Sequence, residues 1–265
     1  MLFTGDIVDM DFGPNGKYGR DVFHPSKIRK LTNLWQTAMP KFDGWNTVYL
    51  DNHDSGRSLS RYASDAPKHR ATAAKMLATY LLTLSGTPFL LAGQEIGMAN
   101  LGKEYGPEAY IDVEGKNEYN AVLKARGGDE SQMQDVMREL QLKSRDHGRL
   151  PMQWDGSTHA GFTSADAKPW MTVNNDYVEW NVSSQGSYQP LPESKTGESV
   201  LAYQRACQET GEKAVVLLNF SDKDKTVAAA EFQECTVLCS NQATQGVKDD
   251  HVQLVPFGAI VLYSK

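Results

Sequence analysis

Between residues 46 and 95, two short apolar runs flank a stretch of helical period. Val48, Tyr49 and Leu50 form the first run and Phe89 to Ala92 the second, while Met76, Leu77, Tyr80, Leu81 and Leu84 recur at helical spacing between them. Short continuous runs suit buried strands, and the intervening spacing suits one apolar helix face. Pro67 fits the first helical position and Gly86 a stop, which predicts a helix from Pro67 through Ser85. Strand 47–50, a helix and a strand at FLLA make a βαβ unit, and therefore parallel pairing. Upstream, LFTGDIVDM reads as a short strand running into acidic residues. The stretch Phe23-His24-Pro25-Ser26 introduces a helix over Lys27–Ala38, ending before Pro40.

The pattern then fades. Residues 100–128 are rich in Gly, Asn, Glu and Tyr without a clear period, and read as a long loop or small insertion. Ser131–Asp146 predicts a helix with Met133, Val136, Met137, Leu140 and Leu142 along one stripe. The next segment, HGRLPMQWDGSTHAGFTSADAKPWM, is dense in Gly, Pro, Trp and polar residues, as irregular functional loops are. Beyond Asn181 the texture changes to short strand-like runs: SVLAYQRA, KAVVLLNFSD, KTVAAAEF, CTVLCS and VPFGAIVLYS. Their regular spacing predicts a small antiparallel β-sandwich. The expected division is an α/β region over 1–183, with an insertion around 100–150, and a β-domain over 184–265.

Composition narrows the function classes. Among 265 residues, 33 acidic against 27 Lys and Arg leave a net charge of −6, with the two signs mixed along the chain. A nucleic-acid partner would call for clustered basic residues, so none is expected. No apolar run is long enough to span a bilayer, so no membrane partner is expected. The first residues, MLFTGDIVDMDFG, lack the basic start of a secretory signal, which makes a cytoplasmic location the default. Cys207, Cys235 and Cys239 read as three free thiols. No second Cys/His pair follows Cys235 and Cys239, so neither a metal nor a cofactor is expected.

The densest chemistry lies in NTVYLDNHDSGRSLSRYASD, where the apolar run ends in Asp51, Asn52, His53 and Asp54. Taken alone, Asp54 could cap a turn or helix and His53 could be a satisfied buried imidazole. Two later segments change that balance. NHDSGRSLSRY, GTPFLLAGQEIGMAN and SRDHGRLPMQWDGSTHAGFT, in this order, resemble the C-terminal half of an α-glucosidase of glycoside hydrolase family 13, in the maltase, isomaltase and oligo-1,6-glucosidase group.

The resemblance implies the C-terminal half of a TIM-type (β/α)8 barrel, with its active site at the C-terminal ends of the strands, followed by a small antiparallel β-domain. It implies a retaining glycosidase, in which a nucleophile and an acid/base carboxylate flank the scissile bond about 5–5.5 Å apart. Asp54 matches a third carboxylate, which grips sugar hydroxyls and stabilises the oxocarbenium-like transition state. His53 and Arg149 match substrate-binding residues of the same subsite. The nucleophile and acid/base fall upstream of anything matching Met1, so the chain is expected to be inactive on its own. The substrate class implied is a small disaccharide or oligosaccharide with terminal α-linked glucose, of maltose, isomaltose or sucrose type.

Arg57 and Arg61 are expected to anchor the loop to carbonyls or carboxylates, and Glu95 to sit in a structural turn. Trp154 and Trp170 suit either sugar stacking or core packing. Two departures stand out. Ser55 replaces a Gln common in the family, and the last barrel helix expected between Asn181 and Tyr188 is missing, as after an internal deletion. A non-catalytic interaction protein of the same descent and a glucosyl-transferring isomerase are the competing functions. Product analysis would separate the isomerase, and retention of His53, Asp54 and Arg149 together favours an enzyme over a scaffold.

Overall fold

The computed structural model describes every residue except 15, 20, 208, 209, 244 and 245. The chain divides into two compact units, Met1–Asn181 and Val182–Lys265.

In the first unit, helix α1 spans Pro25–Lys41, with His24 Nδ1 accepting the Ser26 N–H at 3.2 Å as its cap. The helix does not end before Pro40, as predicted. A proline in the last turn removes a single intrahelical donor, and the turn still closes with the Phe42 N–H on Met39 O at 3.1 Å. The strand expected at LFTGDIVDM is reduced to one parallel bridge, Leu2 to Asn46, after which residues 6–11 form turns. The turned backbone lets both the Val8 carbonyl and the Asp11 carboxylate accept from Arg61, which an extended run would not.

Strands β1 (Thr47–Val48) and β2 (Thr87–Pro88) pair in parallel, connected through helices α2 (Ser58–Tyr62) and α3 (Pro67–Thr83). The second strand therefore starts before FLLA. Phe89 N–H still reaches Val48 O at 2.9 Å, but Leu90 is exposed, and Leu91 already bonds to Gln94 in the turn Gln94–Ile96. Gly86 enters β2 at φ +143°, where a Cβ would lie 2.8 Å from Asn46 O; only glycine fits that approach. Leu77 and Leu81 bury against Val48, Leu50, Leu59 and Ala99, while Met76 is exposed, so the apolar stripe of α3 is narrower than its sequence suggested.

Residues 100–128 are not a loop throughout. Helix α4 occupies Val113–Ala125, capped by the Asp112 carboxylate, which accepts the Glu114 N–H at 2.9 Å. It buries only Gly115, so it has almost no apolar period to read. Helix α5 is shorter than predicted, Gln134–Lys143, and buries Val136 and Leu140. The chain then breaks at Ser144 into a tight turn over Arg145–Arg149.

The second unit is antiparallel throughout its paired strands. β3 (Ser187–Pro190), β4 (Val200–Ala206), β5 (Lys213–Asn219), β7 (Thr236–Ser240) and β9 (Ala259–Ser264) form one sheet in the order β3-β4-β5-β9-β7. β6 (Lys225–Ala228) and β8 (His251–Leu254) form another. Both contribute to one apolar cluster that includes Val215, Leu217, Val227, Val252, Ile260 and Leu262. Two strands escaped the sequence reading. β3 is a polar edge strand ending in proline, and β8 alternates buried Val252 and Leu254 with exposed His251 and Gln253 over only four residues. Between Asn181 and Tyr188 the chain makes a single tight turn, Ser183–Gln185, and passes into β3. No disulfide joins the three cysteines.

Candidate functional site

The end of β1 sorts its polar residues into two kinds. Leu50 is fully buried and Asp51 nearly so; the Asp51 carboxylate accepts the Ser58 N–H at 2.6 Å and holds the start of α2. Asn52 Oδ1 accepts the Asp54 N–H at 2.9 Å, a local Asx turn that reverses the chain. These two side chains are consumed by structure. His53 and Asp54, at the tip of the turn, are not: the Asp54 side chain keeps 48% of its surface exposed.

Arg57 and Arg61 anchor what lies behind. Arg57 is buried, donating from Nε to His147 O at 3.1 Å and from Nη1 to Ala92 O at 2.9 Å. Arg61 grips Asp11 and the Val8 carbonyl, with its guanidinium carbon 4.7 Å from the Tyr62 ring centre. Both do what the sequence reading assigned to them, and neither faces the open surface.

Arg149 arrives from the Arg145–Arg149 turn and meets Asp54. Its Nη2 lies 3.1 Å from Asp54 Oδ1, its Nε donates to His53 O at 2.8 Å, and its Nη1 pairs with Asp112 Oδ2 at 2.7 Å. His53 Nε2 sits 3.4 Å from the other Asp54 oxygen, Oδ2. The three residues singled out in the sequence are therefore in one cluster. The approach depends on Gly148, where a Cβ would stand 2.7 Å from Asn52 O and 2.8 Å from Ser55 O.

The sequence reading missed the surrounding frame. Arg145 Nε lies 3.6 Å from Asp54 Oδ1 and 3.0 Å from Glu114 Oε2. Lys17 Nζ donates to Asp54 O at 2.7 Å and to Glu114 Oε2 at 2.8 Å. Burial pulls the Lys17 ammonium below its ordinary pKa, while the bond to Glu114 pushes the other way. Asp112 and Glu114 thus hold, from the first turn of α4, the three cations that surround Asp54. The available signal was an Asp two residues before a Glu at a helix start, a cap pattern hidden by the weak apolar period of α4.

His147, adjacent in sequence, belongs to the scaffold. Its Nε2 lies 2.9 Å from Leu140 O and its Nδ1 accepts the Leu101 N–H at 3.0 Å, an arrangement that requires the neutral ring. Burial depresses its pKa to about 4. Glu95 lies in the Gln94–Ile96 turn. Trp154 and Trp170 are both exposed, which excludes core packing. Trp170 lines an open cleft of about 600 Å³ with Tyr105, His159, Lys168 and Tyr177, and no residue of the Asp54 cluster lines that cleft. Ser55 is buried, and its hydroxyl has no partner within hydrogen-bonding distance.

An exposed carboxylate at a strand end, held between arginines beside a histidine, suits recognition of a polyhydroxylated ring. Residues 1–193 match the alpha-amylase family, described as alpha amylase, catalytic domain, and the chain belongs to that family. Among curated relatives, an alpha-glucosidase of Schizosaccharomyces pombe is 40% identical over 186 residues, covering 70% of this chain and 32% of the relative. An oligo-1,6-glucosidase of Bacillus cereus is 34% identical over 296 residues, covering all of this chain and 50% of the relative. Among solved structures, the trehalose-6-phosphate hydrolase of Bacillus licheniformis matches with a TM-score of 0.63 at 30% identity, over 99% of this chain and 51% of that chain. An isomaltulose synthase of Erwinia rhapontici matches with a TM-score of 0.62 at 28% identity, over 98% and 50%. The chain spans at most about half the length of these relatives. No helix among the described residues is long and apolar enough to cross a membrane.

Proposed function

We propose that this chain carries the sugar-gripping part of a retaining α-glucosidase active site, acting on terminal α-linked glucose of maltose-, isomaltose- or sucrose-like substrates. Asp54 is the transition-state carboxylate. Its ionised oxygens accept hydrogen bonds from ring hydroxyls, and these strengthen as positive charge develops on the ring. His53 contacts a hydroxyl of the same glucose, and Arg149 holds the carboxylate in place and reaches a sugar oxygen.

The observation that carries this reading is the pairing of Asp54 with Arg149 at the open end of β1. The neighbouring carboxylates do not supply the rest of the chemistry. Asp112 and Glu114 are both committed to cations, whereas retaining hydrolysis needs one free nucleophile and one acid close to it. On the family resemblance, the nucleophile and acid/base come from polypeptide outside these 265 residues, and Met1–Asn181 is half of a (β/α)8 barrel followed by an antiparallel sandwich. The match to the Bacillus cereus relative runs over 296 residues against 265 here, which supports an internal deletion in this chain.

Saturation-transfer NMR with the iminosugar 1-deoxynojirimycin tests the grip: the signal is expected with the natural chain and lost in Asp54→Ala. Equal signals from both proteins would remove Asp54 from the site. Hydrolysis of an aryl α-glucoside by the chain alone should stay at the buffer level, because a positioned nucleophile and acid are each worth orders of magnitude in rate. Release that depends on Asp54 would refute the divided site.

A further inference from the structure

Asp54 is surrounded by cations, yet its carboxylate is bonded to few of them. Lys17, Arg145 and Arg149 all approach it. Arg149 alone among these donates to the carboxylate, from Nη2 to Oδ1 at 3.1 Å, and its Nη1 makes the shorter bond, 2.7 Å, to Asp112. Lys17 Nζ reaches the backbone oxygen of Asp54, and its other bond, 2.8 Å, goes to Glu114 Oε2. Arg145 Nε stops 3.6 Å from Asp54 Oδ1, while Arg145 Nη2 donates to Glu114 Oε1 at 3.3 Å. The Arg145 Nε–H is buried and unpartnered: Glu114 Oε2 lies 3.0 Å away but off the hydrogen-bonding line. A buried donor of a permanent cation, left between two carboxylates, turns to the one that remains if the other is lost.

Glu114 is fixed where it can compete for these cations. The buried Asp146 accepts the Ile111 and Asp112 N–H groups at 2.8 and 3.0 Å, and Asp112 in turn caps α4 at the Glu114 N–H. An ionised carboxylate has about four acceptor sites, and one bidentate arginine fills about two of them. We propose that Glu114 is a positioning residue: it draws Arg145 and Lys17 off Asp54, so that the Asp54 oxygens stay open to the hydroxyls of a glucose ring. Asp112 does the same for one arm of Arg149. The proposal rests on the glycosidase reading for what Asp54 grips, and on geometry alone for where Arg145 goes.

Two measurements on the full chain test it. Saturation-transfer NMR with D-glucose, a neutral ligand, reads the grip. Glu114→Gln should weaken the affinity at least about tenfold, because a charge-assisted pair with Arg145 then competes for the same oxygens. Adding Arg145→Gln should restore most of it. Adding Lys116→Gln instead, which removes one positive charge from an exposed position on α4, should restore none. No loss in Glu114→Gln, a loss that Arg145→Gln fails to rescue, or one that Lys116→Gln rescues equally would each overturn the proposal. The second measurement needs no ligand and follows the Arg145 Nε–H by nitrogen-15 NMR. Its exchange with water should slow several-fold in Glu114→Gln, as Asp54 accepts the bond, and speed up again when Asp54→Ala is added. Unchanged or faster exchange in Glu114→Gln would mean that Arg145 turns to water, and would overturn the proposal whatever glucose does. Glucose binding indifferent to Asp54→Ala would sink the glycosidase reading and leave the exchange result to decide the positioning role.

Discussion

The two units are held together by different physics. In Val182–Lys265, eleven buried apolar residues, nine of them from the two antiparallel sheets, form one continuous cluster. In Met1–Asn181, the cluster under β1 and β2 has six, and much of the remaining interior is polar: Asp11, Arg57, Arg61, Lys143, Asp146, His147 and Gln153 are all buried. Apolar burial stabilises without regard to direction, whereas a buried ion or amide stabilises only while every partner is in place. The first unit is therefore more sharply specified and more fragile. It also carries the candidate site, whose cations and carboxylates need a framework that fixes orientation. All five tryptophans, Trp35, Trp45, Trp154, Trp170 and Trp180, lie in the first unit, so indole fluorescence reports on that unit alone.

The largest expected effect breaks the polar framework. Arg61 and Asp11 are both fully removed from solvent, and Arg61 also satisfies the Val8 carbonyl. Arg61→Leu leaves an uncompensated buried carboxylate, with a cost of about 3–5 kcal/mol. Urea unfolding followed by tryptophan fluorescence should show the first unit's midpoint collapse, while the loss of β signal in circular dichroism from the second unit holds its position. Arg61→Leu combined with Asp11→Leu should recover much of the loss, because the cost lies in the stranded charge rather than in the missing pair. A single substitution that moved both transitions equally would erase the contrast between the units.

A second test uses pH. His147 is held neutral, and its folded-state pKa of about 4 lies below the ordinary 6.5. Between those values the unfolded chain binds a proton that the folded chain does not, so stability is full above pH 6.5 and declines as pH falls towards 4. The shift corresponds to about 3 kcal/mol once pH reaches the folded value. Protonation would also put a second N–H on the ring nitrogen that accepts the Leu101 N–H. The urea midpoint read by tryptophan fluorescence should fall between pH 7 and 4.5. In His147→Gln, weaker at neutral pH, the same acidification should remove much less.

What could be read in the sequence follows the same division. Short apolar runs at regular spacing, set off by turn residues, made five of the seven strands described in the second unit legible. The two that escaped, β3 and β8, have four residues each. In the first unit the βαβ unit was legible from Val48, Leu77 and Leu81, but α4 was not, since its capping Asp112 and the close packing of Gly115 leave no periodic trace. His53, Asp54 and Arg149 were found through motif order, and their meeting in space depends on Gly148 fitting under Asn52 and Ser55. Lys17, Asp112, Glu114 and Arg145 act on Asp54 from up to 91 positions away in sequence, a coupling that no local pattern records.

The smallest expected effect places the same kind of bond in the other unit. Lys195 and Glu231 pair at 2.7 Å, with side chains 43% and 47% exposed. Water screens the attraction there, and holding two long side chains in one geometry costs entropy, so Lys195→Ala should change stability by less than about 1 kcal/mol. The change should shrink further in 0.5 M salt, whereas the Arg61→Leu loss, set in a dry interior, should barely respond. The measurement is the circular-dichroism urea midpoint of the β unit at low and high salt. A loss approaching that of Arg61→Leu would mean that the β unit, too, depends on directional charge pairing, and that its apolar cluster does not explain its stability.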